Sequence, residues 1–335
     1  MVDYGAERLT FIDLFAGCGG LSLGFTWAGF TPIQSVEWDK HAAATHSVNI
    51  GGEIFAGDIA DWLEGAPPNA DVILGGPPCQ GFSQLGAQNP DDPRNSLWDQ
   101  YVDALVAVEP RYFVLENVPA FLKSKQFDAL VTEMAPGERL EGYEIEHYVL
   151  DASHYGVPQS RRRAIIIGRP AGTPELGRPA IIEGRRTVAD AIGAIETPIS
   201  GTQLPQSQVV IHGETVPGVF KMADLHVTRE PSDVSLRRYA AIPPGGNRFD
   251  LPDELLTPCW RRHTSGSGDV MGRLLWDSPS VTIRTEFFKP EKGQYLHPQW
   301  NPDDPDQRIN RPITHREAAL LQTPLHDLHR SEEHT

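Results

Sequence analysis

Cysteine is scarce: Cys18, Cys79 and Cys259 are the only three in 335 residues. An odd number at wide separations excludes a disulfide framework, and no two have the short spacing of zinc ligands, so no metal site is expected. Long apolar runs are also missing. None approaches the ~20 residues that span a bilayer, and no basic-then-apolar leader precedes Phe11, so a cytoplasmic protein without a membrane partner is expected. Basic residues are in deficit, 29 Lys and Arg against 45 Asp and Glu, for a net charge of −16. That balance argues against a nucleic-acid partner until its distribution is read. Residues 1–150 hold 7 basic against 22 acidic side chains, whereas residues 151–300 hold 18 against 16. The acidity belongs to the first half. Arg161, Arg162, Arg163, Arg237, Arg238, Arg261 and Arg262 are left as candidates for a nucleic-acid-facing surface, or as merely solvated side chains.

What is present is ordinary for a soluble globular chain, at 39 % hydrophobic and 22 % charged residues, long enough for one large domain or two smaller ones. The first ~170 residues alternate strand-like and helix-like stretches. "LTFIDLF" (9–15), "PIQSVEW" (32–38), "DVILGG" (71–76), "YFVLENV" (112–118), "YEIEHYVL" (143–150) and "RAIIIG" (163–168) read as strands. Helical spacing separates several of them, as in "LSLGFTWAGF", "DKHAAATHSVNI" and "SLWDQYVDALVAVEP". This alternation predicts an α/β fold, a doubly wound and mostly parallel sheet with helices on both faces. From about Arg169 prolines and glycines multiply and helical periodicity fades, which predicts a second, smaller and irregular domain over 171–322.

"FIDLFAGCGGLSLGF" (11–25) carries a strand through a glycine turn into a helix. Gly17, Gly19 and Gly20 let a ligand approach the backbone, at the sheet edge where open α/β folds bind cofactors. The spacing is not the dinucleotide fingerprint, and no basic residue awaits a phosphate. Glu37, about twenty positions on, suits ribose hydroxyls; Asp58 suits an adenine amino group, and Trp38 could stack on the base. The set fits an adenosine without phosphates, with S-adenosylmethionine the candidate. An ordinary glycine turn flanked by surface acids is the alternative.

"GGPPCQGFSQLG" (75–86) poses a sharper question. A free cysteine is usually a buried small hydrophobe. Here two prolines stiffen the backbone and a polar glycine-rich loop follows, which suits a presented nucleophile better. Glu116, in "ENV", ends the next strand at the same sheet edge, and "QSRRR" (159–163) leads into another, where alternate residues Gln159, Arg161 and Arg163 can share a direction. Thiol, carboxyl and arginine beside an adenosine pocket form a specific constellation.

In order and approximate spacing, "DLFAGCGG", "EWD", "GDI", "GGPPCQGFS", "ENV", "QSRRR" and the late "RPITHREAALLQ" (311–322) resemble the motifs of the cytosine-5 DNA methyltransferases of bacterial restriction–modification or orphan type. The resemblance implies a Rossmann-like S-adenosylmethionine-binding catalytic domain over 1–170 and a target-recognition domain over 171–322. It implies that Phe15, Ala16, Gly17, Gly19, Gly20, Leu21, Glu37, Trp38, Asp58, Ile59, Gly76 and Pro78 wall the cofactor. Cys79 would add to carbon 6 of a flipped-out cytosine, Glu116 would hydrogen-bond ring nitrogen 3 and the amino group, Arg163 would contact the ring carbonyl, and Arg161 would brace the site. Gln80, Ser83, Gln159, Arg261, Arg262 and Arg284 are the expected DNA contacts, Ser83 to phosphate on a loop (80–96) that closes over the base. The expected partner is duplex DNA, met by a monomer, with a cognate restriction endonuclease as genetic partner only. A tRNA cytosine-5 methyltransferase, which shares the catalytic motifs, and an inactive DNA- or cofactor-binding remnant are the alternatives. Nothing after Gln322 resembles the family's closing Gly-Asn and proline motif, so 323–335 is expected to be a non-native tail.

Overall fold

The computed structural model describes residues 8–78, 97–262 and 265–322. The chain divides into two compact units, each discontinuous in sequence. The first comprises Met1–Leu150, Arg162–Pro179 and Gln206–Val219; the second comprises Asp151–Arg161, Ala180–Pro205 and Phe220–Thr335.

The first unit opens with β1 (Thr10–Leu14), α1 (Gly20–Trp27), β2 (Thr31–Glu37), α2 (Lys40–Asn49), β3 (Glu53–Ala56), α3 (Ile59–Glu64) and β4 (Val72–Gly75). It continues with α4 (Leu97–Val108), β5 (Tyr112–Asn117), α5 (Lys125–Thr132), β6 (Tyr143–Asp151) and β7 (Arg162–Pro170). These strands form one seven-stranded sheet in the order β3-β2-β1-β4-β5-β7-β6. Neighbours from β3 to β5 run parallel, and β7 lies antiparallel to β5. This is the expected α/β, Rossmann-like sheet. β3 and α3 escape the hydrophobic pattern because a four-residue, half-exposed edge strand and a six-residue helix give too few repeats to establish a period.

Side-chain chemistry sets the helix starts. Asp39 caps α2, its carboxylate accepting from the His41 and Ala42 N–H groups at 2.9 Å each, and Asp58 caps α3 through Ala60 N–H at 2.9 Å. The core between sheet and helices buries Ile12, Leu14, Ile73, Tyr101, Phe113 and Ile166. Its packing explains Gly75: a Cβ there would lie 2.4 Å from the Tyr101 ring, so the strand that delivers the prolines admits only glycine at its last position.

Residues 206–219 lie in the irregular stretch of the sequence yet group with the first unit. They form a hairpin of β8 (Gln208–Ile211) and β9 (Glu214–Pro217) seated on α2. Ile211 and Val216 pack with Ala44, Glu214 pairs with Lys40 at 2.6 Å, and the His212 ring lies 3.0 Å from the Ile54 carbonyl.

The second unit has short helices α6 (Val188–Ile192), α7 (Asp233–Ala241), α8 (Pro258–Arg262) and α9 (His315–Gln322), with two small strands, β10 (Gly272–Arg273) and β11 (Gln294–Leu296). Buried charges organise it. Arg273, fully buried, donates to the carbonyls of Tyr239 (2.6 Å), Ile242 (2.7 Å), His297 (2.5 Å) and Ile309 (3.0 Å), and burial lowers its pKa to about 9. Arg311 grips Glu317 through two 2.8 Å bonds. Glu317 also accepts from Thr314 N–H at 2.8 Å while its own N–H donates to Thr314 Oγ1 at 3.1 Å, closing a capping box at the start of α9. Burial opposes the Glu317 charge, but the bonds and charge of Arg311, with His297 and the Thr314 N–H, together hold the carboxyl below its ordinary range. The "RPITHRE" stretch is thus a structural staple.

Glu317→Gln leaves Arg311 buried beside a neutral group, and urea unfolding of this variant is expected to show a loss of about 3–5 kcal/mol. Replacing both residues with apolar ones of similar volume should cost less than either single change; equal or greater loss in the double variant contradicts the staple.

Candidate active site

Parallel register brings three strand ends side by side: Leu14 of β1 pairs Gly75 of β4, and Gly75 pairs Leu115 of β5. The loops that leave these ends build the site.

After β1 the backbone turns through positive φ at Phe15 (58°), Gly17 (56°) and Gly19 (88°). Gly19 is required twice over, by its φ and because a Cβ would lie 2.8 Å from both the His46 ring and Ile50. At Gly17 and Gly20 a Cβ would meet nothing within 4 Å, so the turn borders open space. Glu37 reaches back to fix the turn: one carboxylate oxygen accepts from Gly17 N–H and the other from Asp39 N–H, each at 2.7 Å. Two backbone bonds leave a carboxylate further acceptor capacity for hydroxyl donors. Trp38 beside it is 71 % exposed, an open aromatic face. Asp58 keeps one oxygen beyond the cap bond to Ala60. An adenosine-bearing cofactor without phosphates fits this donor set and this open glycine turn. Ala16 is buried, and its N–H donates to the Val36 carbonyl at 3.1 Å; Phe15 and Leu21 are half-buried. Ile59 is buried in the core, which leaves only its backbone for a ligand.

The second loop leaves β4 through Gly76, whose N–H donates to the Leu14 carbonyl at 3.4 Å. A Cβ on Gly76 would lie 3.5 Å from Glu116 Oε2, so that carboxylate overlooks the loop. Pro78 is exposed. Cys79, Gln80, Ser83 and the rest of loop 80–96 lie outside the described residues, as does the tail 323–335.

At the third strand end the antiparallel β5–β7 pairing sets Glu116 opposite Ile165. Arg163, two residues before Ile165, shares that residue's face, and its Nε stands 2.6 Å from Glu116 Oε1. Arg163 Nη1 also donates to the Arg162 carbonyl at 2.8 Å. Carboxyl and guanidinium are brought together at this strand end. The neighbouring Asn117 is buried: its amide donates to the Pro77 carbonyl at 3.2 Å while its oxygen accepts from Val118 N–H at 2.8 Å. It anchors the turn that leads to Cys79. Asn117 lies within "ENV", where the motif assigns it no role; a polar residue ending a buried strand is the signal that marks it.

Beneath the glycine turn lies a buried network for which the motifs gave no role. Ser22 Oγ donates to Asp13 Oδ2 at 2.5 Å and lies 3.2 Å from His46 Nε2, with all three residues buried. Burial raises the Asp13 carboxyl from 3.8 to about 6, against the lowering effect of Ser22, and burial lowers the pKa of His46. A lone carboxylate inside the apolar strand "LTFIDLF" was its legible sign.

The remaining candidates belong to the second unit. Gln159 corrects the expectation of a DNA contact: it is buried, accepting from Ile283 N–H and donating to the Leu321 carbonyl, both at 3.3 Å. It clips two segments together because no face of it reaches solvent. Arg161 donates its N–H to Asp151 Oδ1 at 3.1 Å and accepts from Ala152 N–H at 3.0 Å, fixing the backbone just before β7. Arg261 and Arg262 are exposed on α8 and donate to the carbonyls of Asp253 (2.6 Å) and Pro258 (3.3 Å). Arg284 is exposed and paired with Asp269 at 2.6 Å.

Residues 9–212 match the family model of the C-5 cytosine-specific DNA methylases. The chain belongs to that family. This DNA cytosine-5 methyltransferase is 32 % identical over 328 residues to the type II methyltransferase M1.HphI of Haemophilus parahaemolyticus, across 94 % of its own length and 77 % of that protein. It is 37 % identical over 347 residues to the type II methyltransferase M.DdeI of Desulfomicrobium norvegicum, across 94 % and 78 %. Among solved structures, a chain described as a DNA modification methyltransferase encoded within an E. coli prophage superposes with a TM-score of 0.64 at 26 % identity, covering 94 % of this chain and 88 % of that one. The S. pombe Dnmt2 methyltransferase shares the fold, with a TM-score of 0.52 at 18 % identity over 94 % of this chain and 86 % of that one. No helix among the described residues is long and apolar enough to cross a membrane.

The Asp13 carboxyl of the methyltransferase keeps its proton up to about pH 6 when folded, against 3.8 ordinarily. Its protonated form therefore stabilises the fold fully below about 3.8, and that contribution, about 3 kcal/mol, is lost as pH rises through 6. Asp13→Asn should lose less stability than the parent between about pH 4 and 7 in urea titrations. Parallel curves for the two proteins contradict this assignment.

Proposed function

We propose that this chain transfers a methyl group from S-adenosylmethionine to carbon 5 of a cytosine in a specific duplex DNA sequence, through a covalent adduct with Cys79. The observation that carries this reading is the Glu116–Arg163 pair at 2.6 Å, overlooking the backbone that leads from Gly76 to Cys79.

Carbon 5 of cytosine is a poor nucleophile. Addition of the Cys79 thiolate to carbon 6 pushes electron density toward ring nitrogen 3 and makes carbon 5 enamine-like. Glu116 holds a proton at nitrogen 3 and accepts from the amino group, stabilising charge where it develops. Arg163 fixes the Glu116 carboxyl in place and can direct its remaining donors to the ring carbonyl. Arg161 supports the backbone on which Arg163 stands. Asn117, holding the Pro77 carbonyl, limits the positions open to the cysteine turn. Gly17, Gly20, Glu37, Trp38 and Asp58 would hold the cofactor, which supplies an electrophilic methyl group on its sulfonium. A base then takes the carbon-5 proton, and the electrons of that bond re-form the carbon 5–carbon 6 double bond and expel Cys79 as its thiolate. Carbons 5 and 6 present no reachable face within a stacked duplex, so the cytosine must leave the helix. DNA is the substrate favoured by family membership, and the exposed Arg261, Arg262 and Arg284 are its candidate contacts.

Cys79→Ser is expected to abolish methyl transfer to duplex DNA and covalent trapping by a duplex carrying 5-fluorocytosine; trapping retained by that variant contradicts the adduct. Glu116→Gln should lower kcat by roughly 10²–10⁴-fold with a smaller change in KM for DNA. An unchanged kcat removes Glu116 from the mechanism. Assaying duplex DNA beside tRNA tests the substrate class directly.

A further inference from the structure

We propose that a hollow in the second unit, lined by Arg248, Phe249, Leu251, Asp253, Trp260 and Arg261, takes an unpaired nucleobase of the DNA other than the methylated cytosine. The inference rests on the DNA-methyltransferase reading and adds a second base-binding position to it.

The hollow encloses about 400 Å³, a size in the range of small-ligand sites. Its walls are held firmly. Asn247 caps the turn at Arg248–Asp250, accepting from Phe249 N–H at 3.0 Å, while its own N–H donates to Asp250 at 2.8 Å. Arg261 ties α8 to the next turn through the Asp253 carbonyl at 2.6 Å. The Arg238 guanidinium sits 5.3 Å from the Trp260 ring, which fixes that wall from behind.

Two features point to a base. Phe249 is 49 % exposed, and the Arg248 guanidinium lies 4.6 Å from its centroid. An aromatic face backed by a cation is a stacking platform for a flat, electron-rich ring. A base paired within a duplex offers a protein only its edge, and its faces become available when it leaves the stack. Asp253 adds an acceptor, which favours a base bearing an exocyclic amino group over thymine. Arg237, Arg238, Arg261 and Arg262, on α7 and α8, supply the positive charge that the flanking phosphates require. Neither Glu116 nor Arg163 is among the residues that line the hollow, so the base held here is a different one.

The test compares two labelled duplexes by fluorescence anisotropy at one salt concentration, one fully paired and one carrying a single bulged 2-aminopurine. The parent protein should bind the bulged duplex roughly tenfold more tightly and quench its fluorescence. Phe249→Ala, a change at a half-exposed ring, should keep the affinity for the paired duplex and lose the tenfold preference, and Phe249→Trp should restore it. Asp253→Ala should erase the preference for bulged 2-aminopurine over bulged thymine. A parent protein without the preference, or a preference that survives Phe249→Ala, overturns the site. Methylation of the paired duplex is followed in parallel: methylation without a bulge preference overturns this inference alone, whereas its absence on every DNA offered overturns the methyltransferase reading as well.

Discussion

The parallel register of β1, β4 and β5 is the constraint from which the site follows. Leu14, Gly75 and Leu115 stand level across the sheet, so the next residues of all three strands emerge at one edge. The glycine turn, the Gly76–Pro78 segment and Glu116 therefore meet without any long loop having to find its place. Tyr101 enforces part of that arrangement by filling the space a side chain at position 75 would need. A one-residue slip of β4 would move the Gly76–Pro78 segment off this edge and present the opposite face of the strand.

On that frame, polar side chains do the fine positioning through backbone groups. Glu37 holds two amides of the first turn, Asn117 holds a carbonyl of the second, and Arg163 holds the carboxyl of Glu116. Glu37 and Arg163 use only part of their hydrogen-bonding capacity, so a group that fixes the site can also serve a ligand, whereas the buried Asn117 serves the turn alone. The second unit works differently. Among its described residues the only sheet is the short β10–β11 pair, and buried guanidinium groups of Arg273 and Arg311 collect carbonyls and a carboxylate into a core. Such hubs hold irregular segments together from within, where a sheet would hold them through its ladder.

The α/β class and the three strand ends were legible because long apolar runs and glycine turns report local conformation directly. The placement of Glu116 and Arg163 at one sheet edge was legible because strand ends and alternation imply it, but their direct pairing was not. Gln159 was misread as outward-facing because alternation along "QSRRR" cannot show that the Ile283 and Leu321 backbones enclose it. The Asp13–Ser22–His46 network joins three elements, and contacts between helices and strands leave no periodic trace. The buried Arg311–Glu317 pair also lay unseen, since its motif was identified by resemblance and its residues look like an ordinary exposed helix start.

The hairpin seated on α2 has a consequence for how the chain reaches its native state. The first unit draws on residues up to 219, and the segments belonging to the second unit interrupt it. On the ribosome, the helix that follows Glu37 and Trp38 emerges long before the strands that cover Ala44 and meet Lys40. The first unit therefore waits with an uncovered apolar patch until residue 219 has been made, along with the two shorter segments of the second unit that precede it. No single cut in the polypeptide separates the two units, and neither can be excised as a continuous fragment.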